Sequence, residues 1–416
     1  MKIIQTIKNN KQFQHFSIYG IGQFFNLILP FIAIPYIISI CGEENFGKIG
    51  VGLGIAFFLL VFIDYGTDIL GVKYIAINRD DKKLIGDYYR IVFLSKIFLT
   101  LIVIFLSTLS YFFIPYFKEN QNTLLLGFTI LISQLLNPIW VFQGLEKYNW
   151  ITLINVSSKA LYLVFIFLFI KQAEDYVFVN FFFGLGLIIP NTIGSVKIIR
   201  YFKVNLLDFS KNDIKSYLKE DFSFCFSQLF IALKNYSPII VIGYFSGFKV
   251  AGYYKIIEQI IMPIRTYLQV YFRFFYPKLS YKLALNSNQG MSFWKKINLY
   301  NFILIIFLII SIYIFSQEIL KIFKVDDSVI RELSDTLNFF LIYPLIFTIT
   351  FALEMLYFII GKRTNYVRYV IYTVMLNILL MCLLTPKLEI VGVIVSLIVS
   401  ELILIVLYLT SLKKVR

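Results

Sequence analysis

Twelve long apolar runs limit this chain more than any other feature. They lie at 16–40, 46–70, 91–114, 123–143, 149–170, 176–199, 220–246, 250–277, 297–316, 335–360, 364–385 and 389–412. Each is at least about as long as the ~20 residues a helix needs to cross the hydrocarbon core of a bilayer. Composition agrees: 59% of the 416 residues are hydrophobic and 15% are charged, with a mean hydropathy of +0.78. A soluble domain carries about 25% charged residues. An ordinary cytosolic enzyme, a secreted domain and a disordered chain are therefore excluded. The reading is an all-α integral membrane protein of about twelve spans.

The net charge of +15 fits that reading. In a soluble chain it would point to nucleic acid. Here the connections account for it, and no nucleic-acid partner is expected. Alternate connections carry 25 and 9 Lys and Arg, with five more inside spans. Basic loops stay in the cytoplasm, so the bias places both termini there and favours an even number of spans. The basic N-terminal stretch precedes a first run too long for a signal peptide, so that run is expected to be retained as span one. The connections are short, the largest outward one being about 317–334, so no extramembrane catalytic domain is expected. Cys41, Cys225 and Cys382 are far apart and read as small apolar fillers.

An internal repeat appears at an offset of 205. It pairs Gln23 with Gln228, Phe25 with Phe230, Gly42 with Gly247, Gly47 with Gly252 and Lys73 with Lys278. The turns CGEENFGKIG and SGFKVAGYYK each hold two glycines five apart. Glycine permits positive φ and close helix approach there. Two six-span lobes follow, 1–200 and 201–416. Repeats of this kind suit alternating access, with substrate held between the halves.

Polar residues inside spans usually face the bundle interior. Gln23, Asn26 and Pro30 share a face of span one, where Pro30 and Pro35 are expected to kink the helix. Asn155, Lys159 and Tyr162 share a face of span five, and Ser133, Asn137 and Trp140 mark span four. Gln228 and Asn235 recur in span seven beside Lys234, and Glu258 and Arg265 in span eight. Spans three and nine are nearly all apolar and are expected to face lipid. The uncharged polar residues serve either as interhelical glue or as cavity lining. Lys96 and Arg273 are expected to snorkel to the headgroups. Asp64 and Asp68 either gate or pair with neighbours. Lys159, Lys234 and Arg265 lie near mid-membrane against two acids of similar depth, Glu258 and Glu401. The balance suits an anionic substrate group, unless those cations simply pair with the acids. Asp64, Asp68, Glu258 and Glu401 are the candidates for ion coupling.

Catalytic equipment is sparse. His15 is the only histidine, so no histidine metal cluster and no Ser/His/Asp constellation is available. A Gly-Lys-Ser/Thr phosphate loop is absent. The chain reads as a non-enzyme with no cofactor.

Several stretches resemble the bacterial polysaccharide flippases, the O-antigen (Wzx-type) transporters. They are CGEENFGKIG, LVFIDYGTDILGVKYIAINRDD and WVFQGLEKYNWITLINVSSK, and the likeness covers essentially the whole chain. The W-x-F-Q-G-L-E cluster from Trp140 to Glu146 is the most specific. Members often carry Arg in span five where this chain has Lys159, which keeps the charge but loses the bidentate fork. The resemblance implies a MATE-like fold and an inner-membrane flippase of undecaprenyl-pyrophosphate-linked repeat units. It implies membrane lipids and polysaccharide polymerase or assembly proteins as partners. It also turns the cations and polar faces into a substrate set: Lys159, Lys234, Arg265, Gln23, Asn26, Gln228, Asn235 and Asn155. A multidrug/cation antiporter of the same fold would want an acidic cavity. A lipid II flippase usually resembles a fourteen-span chain. A membrane enzyme of envelope glycan assembly is the alternative of another class.

Overall fold

The structure is a computed structural model that describes residues 11–208, 210–360 and 363–413, with side chains described for 28–412 other than 209, 273 and 361–364. No strand occurs among the described residues. The long helices are α1 (11–41), α2 (43–64), α3 (Lys82–Phe113), α4 (Gln121–Gly144, interrupted by turns), α5 (Tyr148–Phe169) and α6 (Val179–Phe202). They continue with α7 (Lys211–Phe245), α8 (Phe248–Leu285), α9 (Ser287–Ile314), α10 (Ile330–Ile360, turning at Leu341), α11 (363–388) and α12 (390–413). Among the described residues, nine helical stretches are long and apolar enough to cross a membrane. Two of the nine are helix pairs joined across a kink, at Gly42 and at Glu389, and so count twice. The remaining span is α8, which is long enough but carries Lys255, Glu258 and Arg265 along its length. That makes the expected twelve.

The chain divides into two compact units, Met1–Ala232 and Leu233–Arg416, and the division falls within α7. In the first unit, α5 packs against the α1–α2 pair and α6 packs against both α4 and α5. In the second, α10 packs against the α11–α12 pair and α8 against α9 and α10. Lipid tails are as apolar as leucine, so close packing and interhelical hydrogen bonds must hold such helices together. Several side chains do this by bonding a neighbouring helix backbone. Asn180 Nδ2 donates to the Ile49 carbonyl at 3.1 Å, Tyr36 Oη to Ile170 at 2.9 Å, and Trp294 Nε1 to Ala352 at 3.0 Å.

The repeat is visible in the backbone. Gly42 has φ 77° and ψ 168°, and Gly247, its partner at the offset of 205, has φ 86° and ψ 171°. This region is essentially open to glycine alone. A Cβ at either position would touch nothing within 4 Å, so the demand is conformational and not steric. The break between α1 and α2 falls at Gly42, while Pro30 and Pro35 remain inside helical backbone.

In α4 the helix breaks at 136–138, ahead of Pro138. A proline cannot donate to the preceding turn, so carbonyls are left open. Two side chains of α6 close them. Asn191 Nδ2 donates to the Ser133 carbonyl at 2.9 Å and Ser195 Oγ to the Leu136 carbonyl at 2.7 Å. Broken helices persist at membrane depth only when the protein satisfies the freed groups in this way.

Span three is two-faced, not lipid-facing all round. Val92, Ser95, Lys96, Thr100, Val103 and Ser107 form a buried stripe at spacings of three and four. Phe98, Leu101 and Phe105 on the other side are exposed. Span nine, α9, meets the expectation better: Leu299, Ile303, Phe307 and Ile310 are exposed along it, and Asn301 lies on its narrow buried stripe.

Candidate functional site

In the first unit the chemistry gathers where α2 ends. The sequence IDYGTD breaks the helix after Asp64. Tyr65 (φ 50°) and Gly66 (φ 86°) are left-handed, and the chain resumes as a π-helix over Thr67–Gly71. A Cβ on Gly66 would also come within 2.7 Å of the Phe224 ring. Expected span two, 46–70, is thus a helix to residue 64 followed by a different local structure. π-Helical turns are rare and frequently mark functional positions.

Asp64 is the hub of a network across three helices. Its Oδ1 accepts from Thr67 Oγ1 at 2.6 Å and from Gln134 Nε2 at 2.7 Å. Lys96 Nζ lies 3.7 Å away and donates to Thr67 Oγ1 at 2.9 Å. Asn137 Nδ2 supports Gln134 by donating to its Oε1 at 3.1 Å. The expectation that Lys96 snorkels is corrected: only 2% of its side chain is exposed, and it points into this network. An ammonium beside a carboxylate and a hydroxyl inside the bundle needs no headgroup. Asp68 stands beside the network with an exposed side chain, its backbone N–H 3.4 Å from Asp64 Oδ2.

Lys159, on α5 of the same unit, is differently placed. Its Nζ sits 4.7 Å from the centroid of the Phe183 ring on α6. Among the described residues it forms no ion pair with a carboxylate. Asn155, one turn earlier, is half-buried, as is Gln228 on α7. The side chains of Gln23, Asn26 and His15 lie outside the described residues, as does that of Arg273.

The second unit collects four of the expected site residues. Lys234 on α7 pairs with Glu401 on α12, whose side chain is 1% exposed. Next to Lys234, Asn235 Oδ1 accepts from Arg265 Nη2 of α8 at 2.9 Å. One ring of α10 serves both cations: the Phe347 centroid lies 5.7 Å from Lys234 Nζ and 5.6 Å from Arg265 Cζ. Cations are drawn to aromatic faces at this range. Glu258 stands apart and bonds Lys255 at 2.6 Å, one turn before it. Among the described residues Arg265 forms no ion pair; its close partner is a neutral amide.

Sequence reading misses five members of these clusters: Thr67, Lys96, Gln134, Phe347 and Glu354. A third acid, Glu354, stands near Glu401. Glu354 follows Phe347 by seven residues on α10 and hydrogen-bonds Tyr366. A signal for Lys96 does exist in the helical spacing of Ser95, Lys96, Thr100 and Ser107. The others carry none, because a single Gln, Phe or Glu within an apolar run has no direction until its helix is packed.

Solved structures share this fold of broken and kinked helices. One, entitled an inward closed conformation of the lipid II flippase MurJ, matches 95% of this chain and 87% of its own with a TM-score of 0.77 at 15% identity. Another, an inward-facing multidrug resistance MATE family transporter of the MOP superfamily, matches 93% and 95% with a TM-score of 0.70 at 14% identity. The fold is therefore MATE-like. The sequence pattern of the polysaccharide biosynthesis proteins matches residues 13–281, well over half of the chain, and the chain belongs to that family. A relative from Escherichia coli (strain K12) named "Putative O-antigen transporter" is 25% identical over 271 residues. That alignment spans 65% of this chain and 65% of the relative's length. A Shigella dysenteriae protein of the same name is 23% identical over 278 residues, 66% of this chain and 67% of its own.

Proposed function

We propose that the protein is a flippase, not an enzyme, that carries undecaprenyl-pyrophosphate-linked polysaccharide repeat units across the bacterial inner membrane. The observation that carries this reading is the state of two intramembrane cations. Among the described residues, Lys159 and Arg265 have aromatic and amide neighbours and no carboxylate within salt-bridge distance. A cation near the centre of a bilayer costs about 3 kcal/mol or more without compensation. A pyrophosphate passing through a wet cavity would supply the opposing charge. Lys234 contributes less, because Glu401 already balances it. Family membership and the names of the relatives support the glycan part of the reading.

In alternating access the headgroup would be exposed to each side of the membrane in turn while the isoprenoid tail stays in lipid. Asp64 and Asp68 are the favoured coupling groups. They flank a break in α2, where a carboxylate can change partners without unwinding a regular helix. The orientation follows the basic loops, with both termini cytoplasmic.

The test is complementation of a host lacking the protein, read as lipid-linked glycan trapped on the inner leaflet. Arg265→Glu should abolish export at normal protein level, and Lys159→Ala and Arg265→Ala should each impair it. Normal export by both alanine variants would end the cationic-cavity mechanism. Orientation is checked by labelling single cysteines in a background without Cys41, Cys225 and Cys382. Asn120 is unsuitable for this, being buried with its Nδ2 on the Lys48 carbonyl at 3.0 Å. Its neighbour Glu119 is exposed, as is Asn212. Cysteine at Glu119 should label from outside only and cysteine at Asn212 from inside only; the reverse would invert the topology.

A further inference from the structure

The W-x-F-Q-G-L-E cluster is the most specific stretch of the resemblance, yet the charge networks touch it only at Trp140, whose ring centroid lies 6.0 Å from Lys96 Nζ. Those residues build something else. On the basic face of the first unit, the segment after α2, the α4–α5 turn and the end of α6 enclose a cavity of about 580 Å³. Four cations line it, Arg79, Lys82, Lys147 and Lys197, against one carboxylate, Asp80. The floor is apolar. Phe142 is 4% exposed and stacks on Trp150 with ring centroids 5.5 Å apart, and Ile198 beside them is buried.

The cations are positioned but not neutralised. Lys197 Nζ stands 3.8 Å from the Trp150 centroid and Lys82 Nζ 4.7 Å from that of Tyr201. A ring attracts an ammonium group without using up its charge on an acid. Arg79 reaches Glu146 at 3.8 Å, but both side chains are more than half exposed. Such a pair contributes little. Glu146 itself has φ 56° and turns the chain from α4 towards α5.

A cationic rim over an aromatic floor, in a unit of membrane-spanning helices, matches one kind of ligand: a phosphate attached to hydrocarbon. A small inorganic anion would use the rim and gain nothing from the floor. We propose that this cavity binds the phosphate headgroup of an amphiphile from the leaflet on the basic side. A polyprenyl pyrophosphate and an anionic phospholipid share that chemistry. The proposal rests on the membrane orientation of the flippase reading and is independent of which glycan is carried.

The test uses the full-length protein in a neutral detergent, with bound ligand counted by native mass spectrometry. The probes are farnesyl pyrophosphate, dioleoyl phosphatidylglycerol and inorganic pyrophosphate. At least one lipid probe should bind. Lys147→Gln combined with Lys197→Gln should weaken it about thirtyfold, from the loss of two cations at a lipid surface. Lys147→Arg with Lys197→Arg should retain binding, which separates charge loss from misfolding. Lys118→Gln, beyond the far end of α3 from Lys82, should change nothing. Preference for farnesyl pyrophosphate identifies a polyprenyl pyrophosphate site; equal or stronger binding of phosphatidylglycerol identifies a general anionic-lipid site. The proposal is overturned if neither lipid probe binds, if inorganic pyrophosphate binds as tightly as they do, or if the glutamine variant binds like the wild type. Arg265→Ala should impair export and keep this binding, so failure of the cavity and failure of the flippase reading are read separately.

Discussion

Each unit sets a lysine beside a carboxylate within its helices, and the two arrangements differ in what else holds the acid. In the first unit Asp64 has three donors around it, Lys96, Thr67 and Gln134, at the broken end of a helix. In the second, Glu401 sits on the continuous helix α12 at 1% exposure, with Lys234 as its ion-pair partner. Removing the lysine therefore has different meanings. Asp64 would keep its two side-chain hydrogen bonds and become a place where a proton or another cation can enter. Glu401 would be left as a buried charge. The first arrangement is suited to exchange and the second to holding helices together.

The largest expected effect is on the second unit. Glu401→Leu should destabilise the protein by about 3–5 kcal/mol, because it strands Lys234. The double change Lys234→Met with Glu401→Leu should recover most of that loss. Unfolding in mixed micelles measures both, and a single variant as stable as the wild type would break the comparison. Lys96→Met should cost less, about 1–3 kcal/mol, since Thr67 and Gln134 still satisfy Asp64. The same unfolding measurement checks it, and a loss as large as that of Glu401→Leu would make both pairs locks. The repeat makes a sharper demand. Gly42→Ala and Gly247→Ala should each cost about 1–3 kcal/mol, and by similar amounts, because the same backbone strain is imposed on each unit. A large loss at one and none at the other would show that the two turns are not equivalent. The smallest effect is at the surface. Arg79→Gln removes only the exposed pair with Glu146 and should change stability by less than about 1 kcal/mol.

Much of this fold is legible in the amino-acid sequence. Spans follow from apolar length, and α8 reads as a span despite its charges because its neighbours fix the alternation of loops. The matched glycines of the two turns carry the repeat. Lys234, Asn235, Arg265 and Glu401 stand out one by one in the sequence, and the fold makes them neighbours. Lys96 misleads because hydropathy reports depth along a helix and not the side it faces. Near the end of an apolar run, a lysine reads as an anchor whichever way it points. Glu354 is hidden inside FALEMLYF for a related reason, since one acid hardly alters the mean of an apolar window.

The residues alone determine that this chain lies in a membrane, how many times it crosses and which of its loops are basic. Those properties are sums over sequence: transfer of apolar length into lipid, and charge on alternate connections. Which charge meets which is decided only by packing. Thr67 bridges Asp64 and Lys96 because Tyr65 and Gly66 turn the chain out of α2. Lys234 and Arg265 share the Phe347 ring because α7, α8 and α10 come together in one unit. Partners as far apart in sequence as Lys234 and Glu401 meet through helix rotation and tilt, and these are set by close packing of side chains that no local pattern encodes.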